Sequence, residues 1–552
     1  MTGTPTGRRA AMTVAVAALL VVSGCTGAFG GTSESDDSAE LGFENVTREA
    51  GLDYEGTGTG AGNGNSGVYT ADVDNDGWED LLAIGGERPV LYRNTGGEFD
   101  RSGALPSLER PFKSATFVDY DGDGWRDLLL FAHDGEAVAL HNDEGTFERD
   151  DVGLDDLTYP LGATVADYDG DGDRDLFVYQ SGDWADERPD GYFSTNRSIA
   201  DDNGNPNVLY ENTGDGFERA DAPGIEGDRW SLAASFVDLT GDGTPDVHVA
   251  NDYNNDTVYL NRGDGTFEQR QLGGPTARNG MASEIGDVNG DGRPDVFVTN
   301  IDIPVSRENM SAERFDRLKR FLDFVIHSGR TKGNTMLVNE GDGRFDDQAP
   351  AYGVRQGGWG WAASFADFDN DGDRDLLHTT QIVVRLDMDN PVYTLPMIWE
   401  REGDDFDRLN ASARGFEEHD GRGMVTMDYD RDGDQDVVIA SYHGDFAVYE
   451  NTAEAADAVQ FEVVDGNGAT ALGATATVEA DGTETSVWQN ARTGFLSQES
   501  PVTHVGTGDA ETVTLSVTWP DGEEASFEVD ANARYRVTPD GVETVANLTS
   551  GD

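Results

Sequence analysis

Asp72-Val-Asp-Asn-Asp-Gly-Trp-Glu-Asp80, followed by Leu81-Leu-Ala-Ile84, decides the fold, because the chain repeats this pattern seven times. The copies begin at Asp72, Asp119, Asp167, Asp238, Asp287, Asp367 and Asp428, with start-to-start separations of 47, 48, 71, 49, 80 and 61 residues. The basic unit is therefore just under fifty residues. The excess lies in three insertions, near 182–207, 301–334 and 381–397. After each loop comes an apolar run and a second element, as in Val90-Leu-Tyr-Arg-Asn-Thr-Gly-Gly-Glu-Phe99 and Val208-Leu-Tyr-Glu-Asn-Thr-Gly-Asp-Gly-Phe217, which reads as strand, turn and strand. Four short strands per unit, repeated at this period, predict the blades of a propeller. The expected fold class is all-β: a seven-bladed β-propeller with a C-terminal β-sandwich-like domain.

The seventh unit ends at Val448-Tyr-Glu-Asn-Thr452 without the Gly-Asp-Gly-Phe strand start, and the missing piece stands at the N-terminus as Phe43-Glu-Asn-Val-Thr47. That segment is expected to pair into the last blade and close the ring, which removes open sheet edges. Within the second insertion, Phe315, Leu318, Leu322 and Val325 fall at helical spacing from Ser311 onward. The spacing predicts a helix lying on the propeller rim.

Positions 1, 3, 5 and 9 of each loop carry oxygen-bearing side chains, and Gly at position 6 permits the tight turn that gathers them. The candidate metal ligands are Asp72, Asp74, Asp76 and Asp80; Asp119, Asp121, Asp123 and Asp127; Asp167, Asp169, Asp171 and Asp175; Asp238, Thr240, Asp242 and Asp246; Asp287, Asn289, Asp291 and Asp295; Asp367, Asp369, Asp371 and Asp375; and Asp428, Asp430, Asp432 and Asp436. The residue at position 7 can add its carbonyl. A set of hard oxygens without His or Cys selects Ca²⁺, at up to seven sites, over zinc or copper. Thr240 and Asn289 each remove one negative charge, so weaker sites are expected there. Facing carboxylates repel unless a cation sits among them.

The net charge is −69, from 107 acidic and 38 basic residues. Such a surface repels nucleic acid phosphates and anionic headgroups. Seven divalent ions would supply only +14, so the remaining acidity points to a high-salt medium that screens self-repulsion. The single cysteine, Cys25, follows Arg8-Arg9, a short apolar run and Val22-Ser-Gly24. This resembles a prokaryotic lipoprotein signal, so residues 1–24 are expected to be removed and Cys25 lipidated. The apolar run is too short to span a membrane. The expected order is signal 1–24, flexible tether 25–40, propeller 41–452, β domain 458–540 and tail 541–552, in a cell-surface protein that meets the membrane only through its lipid.

From Val459 the Asp loops stop, and alternating strands are expected at 460–464, 474–479, 485–488, 512–519 and 526–529, with a turn at Pro520-Asp-Gly522. Asn279-Gly-Met-Ala-Ser-Glu-Ile-Gly-Asp-Val-Asn-Gly-Asp-Gly, Gly358-Trp-Gly-Trp, Gly421-Arg-Gly-Met, Gly494-Phe-Leu-Ser-Gln, His504-Val-Gly-Thr-Gly and Val517-Thr-Trp-Pro-Asp-Gly522 carry a resemblance. They resemble the integrin-type FG-GAP repeat family, and within it the cartilage acidic protein-like members that end in an ASPIC/UnbV domain. The resemblance spans nearly all of 43–539. It implies an extracellular, Ca²⁺-binding, adhesive or ligand-binding protein and names no ligand; the wide loop faces of a propeller suit a non-enzymatic module whose partner is an extracellular protein or glycan.

Two further readings stay open. One is an extracellular enzyme acting on polysaccharide through the propeller channel, although the sequence carries no H-E-x-x-H, G-x-S-x-G or Walker A motif. The other is a purely structural surface component. No catalytic residue is assigned.

Overall fold

The computed structural model describes residues 41–548 apart from 58–65, 183–203, 272–276, 303–311, 313–315, 317–332, 382–393, 454–456 and positions 109, 133, 215, 226, 342 and 404. The signal, Cys25 and the tether lie outside the described residues. So does the expected helix, except for Ala312 and Asp316, two isolated residues in helical conformation.

Each Asp-loop unit folds as an antiparallel meander. In the first, Gly67–Ala71, Asp80–Ile84, Val90–Asn94 and Phe99–Arg101 pair in that order. Six further meanders begin on Ser114–Val118, Pro160–Ala166, Asp228–Val237, Glu284–Gly286, Gly358–Ala366 and Gly421–Met427. These first strands touch one another in chain order, and the last touches the first, so the meanders form the closed ring of a β-propeller. The first two strands of a meander are covered on both faces by neighbouring sheets. They therefore read as continuous apolar runs, and Asp80–Ile84 and Asp127–Phe131 are buried throughout. The hydrophobic clusters lie between successive meanders. Val68, Leu81 and Tyr92 of the first pack with Val425, Val438 and Val448 of the seventh. Two insertions begin or end in a short fifth strand: Asn205–Pro206 joins the fourth meander and Ile301–Asp302 the sixth.

The N-terminal strand closes the ring as expected. Phe43, Glu44 and Asn45 pair antiparallel with Asn451, Glu450 and Tyr449, supplying the fourth strand of the seventh meander.

Residues 457–547 form two four-stranded sheets over one core that includes Phe461, Val478, Leu515, Trp519 and Val537. The strand Gly541–Asn547 pairs with Ala533–Thr538, so the expected tail at 541 is instead the last strand of this domain. All seven of its residues are exposed or half-buried. An edge strand of that kind carries no apolar alternation to announce it. Thr503–Gly508 and Ala533–Thr538 were likewise not among the expected strands. The boundary near 452–458 is also not the end of the propeller sheets. Thr493–Gly494 and Ser497–Gln498 form a small hairpin whose second strand lies parallel to Gly67–Ala71, extending the first meander to six strands.

Candidate metal centre

Every Asp loop joins the first strand of its meander to the second, so all seven emerge on one face of the ring. The first carboxylate turns back on the loop: Asp72 Oδ2 accepts from Gly77 N at 2.8 Å, Asp119 Oδ2 from Gly124 N at 3.1 Å, and Asp238 Oδ2 from Gly243 N at 2.7 Å. This folds positions 3 and 5 over position 1. Position 4 sits at positive φ, as glycine in four loops and as Asn75, Asn370 and Arg431 in the others.

The structure gathers ligand oxygens of Asp72, Asp74 and Asp80 within 4.8 Å of one another, and likewise those of Asp119, Asp121 and Asp127, of Asp167, Asp169 and Asp175, and of Asp367, Asp369 and Asp371. Each of these clusters could hold a metal ion. Asp76, Asp123 and Asp171, at position 5, accept the N–H of the residue two places on, at 2.8 to 3.0 Å.

Position 9 has a second role that its reading as a ligand did not include. Asp80 Oδ2 accepts from Val73 N at 3.1 Å and Oδ1 from Asn94 N at 2.8 Å, bracing the loop against the third strand. The same two bonds recur at Asp127, Asp175, Asp246, Asp295, Asp375 and Asp436. Burial pushes the Asp80 and Asp175 carboxyls up to about 8, against the partial relief of the Asn94 and Asn212 amides. Metal-free loops thus hold carboxylates that resist ionisation.

The loops differ in what faces the carboxylates. In the first, Arg93 Nη1 lies 2.6 Å from Asp74 Oδ2 and 3.1 Å from Asp80 Oδ2. In the second, His141 Nδ1 lies 3.3 Å from Asp121 and 3.1 Å from Asp127. In the fifth, Asn289 donates its amide to Asp291 Oδ2 at 2.9 Å, and Arg293 pairs with the same carboxylate. In the fourth, Thr240 Oγ1 turns toward Asp238 Oδ1 at 3.5 Å. The sixth and seventh loops meet acids as well as arginines, with Arg401 facing Asp371 and Arg534 facing Asp428. Glu400 raises the Asp369 carboxyl beyond the effect of burial, and Glu450 does the same at Asp430. Asp434 adds a further carboxyl to the seventh, pushed up to about 8 by burial and then by Asp432.

A hard divalent cation fits these two loops. Asp367 Oδ1, Asp369 Oδ1 and Asp428 Oδ1 are buried with no hydrogen-bond partner, and their residues are 2%, 8% and 3% exposed. An ionised oxygen left in that state costs several kcal/mol, roughly, unless a cation meets it. The donors are all oxygen, which suits Ca²⁺ or Mg²⁺ rather than a soft metal.

A ring of asparagines escaped the sequence reading. At the end of the third strand six meanders carry an Asn, last in five and penultimate in the second, and its Nδ2 donates to the position-2 carbonyl of the preceding meander's loop. Asn142 reaches Val73 at 2.9 Å, Asn212 reaches Tyr120 at 2.7 Å, Asn261 reaches Tyr168 at 2.7 Å, Asn339 reaches Leu239 at 3.0 Å and Asn451 reaches Phe368 at 2.7 Å. Arg401 stands at the sixth position and donates to the Asp287 carbonyl at 3.2 Å. The Phe that opens the fourth strand packs on the same neighbour: Phe217 against Tyr120, Phe267 against Tyr168 and Phe43 against Phe368.

Comparison with known proteins agrees with this repeat. The model of the FG-GAP-like repeat matches residues 72–130, 119–178, 238–298 and 320–378, and the ASPIC and UnbV model matches 464–544. The chain is an FG-GAP repeat protein with a C-terminal ASPIC/UnbV domain. FG-GAP and ASPIC/UnbV content marks a propeller of the binding or adhesion type. No curated protein matches the chain. Among solved structures it is similar to the crystal structure of BBS1N in complex with ARL6DN, soaked with lead, at 10% identity and a TM-score of 0.38, covering 72% of this chain and 96% of that one.

The ASPIC/UnbV domain sits on the FG-GAP loop face. Position 8 of the first three loops makes charged contacts with it: Glu79 lies 3.6 Å from Arg534, Arg126 pairs with Glu462, and Arg174 lies 2.8 Å from Asp465. Its Thr493–Gln498 hairpin enters the ring. Thr493 Oγ1 donates to the Ala234 carbonyl at 3.0 Å, Phe495 packs on Trp361 at 4.7 Å, and Val68 N donates to the Leu496 carbonyl at 3.1 Å. Gln498 Oε1 accepts from Phe117 N at 2.7 Å, and Glu499 Oε1 accepts from Ser364 Oγ at 2.7 Å and Thr426 Oγ1 at 2.8 Å. Contact with the inner strands of five FG-GAP meanders places the hairpin on the ring axis. The channel considered above as a polysaccharide site is therefore occupied by the protein's own chain.

Proposed function

We propose that this protein is a Ca²⁺-dependent binding or adhesion module of the cell surface, a seven-bladed propeller held to the membrane by a lipid on Cys25. The observation that carries the reading is the set of buried, partnerless oxygens of Asp367, Asp369 and Asp428, which call for a cation. Ca²⁺ suits sites built mostly from protein oxygens, whereas Mg²⁺ keeps several waters. The metal acts as a staple in a propeller built without disulfides, since the only cysteine is Cys25. The ligand is an extracellular protein or glycan, taken by the loop-rich surface of the ring, because the axis is filled.

The test pairs stability with capture. At fixed ionic strength, Ca²⁺ at about 10 mM should stabilise each site of Kd about 1 mM by about 1.4 kcal/mol, so chelation should lower the melting temperature clearly. Equal melting with and without metal would sink the reading. Surface partners should be retained on the immobilised protein in Ca²⁺ and released by chelator, and Cys25→Ser should free the protein into the medium.

A further inference from the structure

We propose that the cation in the sixth and seventh loops also locks the ASPIC/UnbV domain onto the propeller, so that metal occupancy controls whether the axial hairpin stays seated. This rests on the reading of those loops as metal sites and assigns them a regulated contact.

The argument begins with two carboxylates that each face two ways. Asp367 Oδ2 accepts from Gly506 N of the ASPIC/UnbV domain at 2.9 Å, while its Oδ1 is buried without a partner, in a carboxylate that clusters with those of Asp369 and Asp371. Asp428 Oδ2 accepts from Gln460 Nε2 of the same domain at 2.7 Å, and its Oδ1 is likewise buried and partnerless. One oxygen of each carboxylate holds the domain and the other is left for the ion. The backbone between the sixth-loop ligands continues the contact. Asn370 Oδ1 meets His504 Nε2 at 2.6 Å, the Asn370 carbonyl accepts from Gly508 N at 3.1 Å, and the Gly372 carbonyl accepts from Thr485 Oγ1 at 3.1 Å.

Without the ion, any two of Asp367, Asp369 and Asp371 that ionise repel at close range in a poorly solvated setting. The loop relieves this by spreading, which moves Asn370 and Gly372 away from their partners. The first three loops dock mainly through position 8, which is not a ligand, although Arg534 also donates to the Gly77 carbonyl at 3.0 Å. Their ion pairs are largely buried, so they hold without a divalent ion and are only weakly screened by salt. The chain from Thr493 to Gly508 runs from the axial hairpin directly into the strand that meets the sixth loop. Loosening at Gly506 is thereby passed to Phe495 and Gln498.

Linkage gives the test a reciprocal form. If metal tightens docking, docking must tighten metal by the same factor. A Cβ on Gly506 would sit 2.3 Å from the Asn370 backbone, so Gly506→Ala disturbs the dock while every metal-ligating side chain keeps its identity. In the full mature chain, Gly506→Ala should weaken the tightest class of Ca²⁺ sites at least threefold by calorimetric titration. Hydrogen exchange in wild type should rise at least tenfold in peptides covering 493–508 on chelation, with much less change in the inner strands 67–71 and 114–118. Arg174→Ala should loosen the dock equally with or without metal. If no Ca²⁺ binds, the metal reading itself fails. If Ca²⁺ binds normally but exchange at 493–508 ignores chelation, or Gly506→Ala leaves the affinity unchanged, metal binding survives and the coupling is overturned.

Discussion

Asn94 Nδ2 donates to the carbonyl of Tyr429 at 2.7 Å, joining residues 335 positions apart. This one bond carries the asparagine ring across the junction between the first and seventh meanders. Phe99 stacks on Tyr429 at 5.9 Å beside it, and Phe43–Asn45 pairs into the seventh sheet on the other flank. The junction is therefore held by the same Asn and Phe contacts as most other neighbouring pairs, although the seventh sheet takes its fourth strand from the N-terminus.

Asn94→Ala should cost about 1–3 kcal/mol, because it leaves the buried Tyr429 carbonyl without its donor. Urea unfolding should show a lower midpoint at unchanged slope. Deleting 42–52 removes the closing strand as well, and its melting temperature should fall further than that of Asn94→Ala; a deletion variant that melts like wild type would show that the ring holds without it.

Arg93→Gln should open the first loop to metal. The guanidinium lies 2.6 Å from Asp74 and 3.1 Å from Asp80, where it does part of a cation's work. Removing its charge while keeping a polar side chain should raise the affinity of that loop for Ca²⁺, read as one additional site or a tighter weak class in titration. An unchanged isotherm would mean that the arginine does not compete with the ion.

Acid should destabilise the Ca²⁺-saturated protein through its buried histidines. Burial holds His248 and His504 down at about 3 and His378 at about 4. The unfolded chain takes up protons below about 6.5 and the folded chain does not. The contribution is thus fully present above 6.5 and is lost as pH falls toward 3–4, at about 1.4 kcal/mol per histidine per pH unit. Denaturation at pH 7.5 and 5.0 should show the fall, and His248→Gln should shrink it.

Phe495→Ala should cost about 3–5 kcal/mol, since the ring is 2% exposed and fills space against Trp361. The measurement is the unfolding midpoint, joined to hydrogen exchange at 493–499. A loss under about 1 kcal/mol would mean that the hairpin is only loosely held in the channel.

The loops and the closing strand were legible because both rest on local pattern. Carboxylates at fixed offsets around a glycine admit few readings, and Phe43 to Thr47 matches the strand start that the seventh unit lacks. The asparagine ring was hidden because Asn before Thr-Gly or Glu-Gly already has a local explanation: Asn94 Oδ1 does accept from Gly97 N at 2.9 Å, as an ordinary turn would have it. Only its other end reaches the neighbouring meander. The axial hairpin was hidden for a different reason. Gly494-Phe-Leu-Ser-Gln has no periodicity, and Gln498 meets Phe117 across 381 positions. Position 9 was read as a ligand alone because the two backbone donors that brace it leave no mark on the side-chain pattern.

The pairing of residues 43–45 with 449–451 orders events as the chain is made. A chain threaded out from its N-terminus presents the first strand long before the seventh sheet exists to receive it. That strand must wait, tethered at one end, while some four hundred residues emerge. The axle of the wheel arrives later still, at residue 493. Completion is therefore a late, long-range event, and a ribosome that stalls before Asn451 leaves an unclosed arc with bare strand edges.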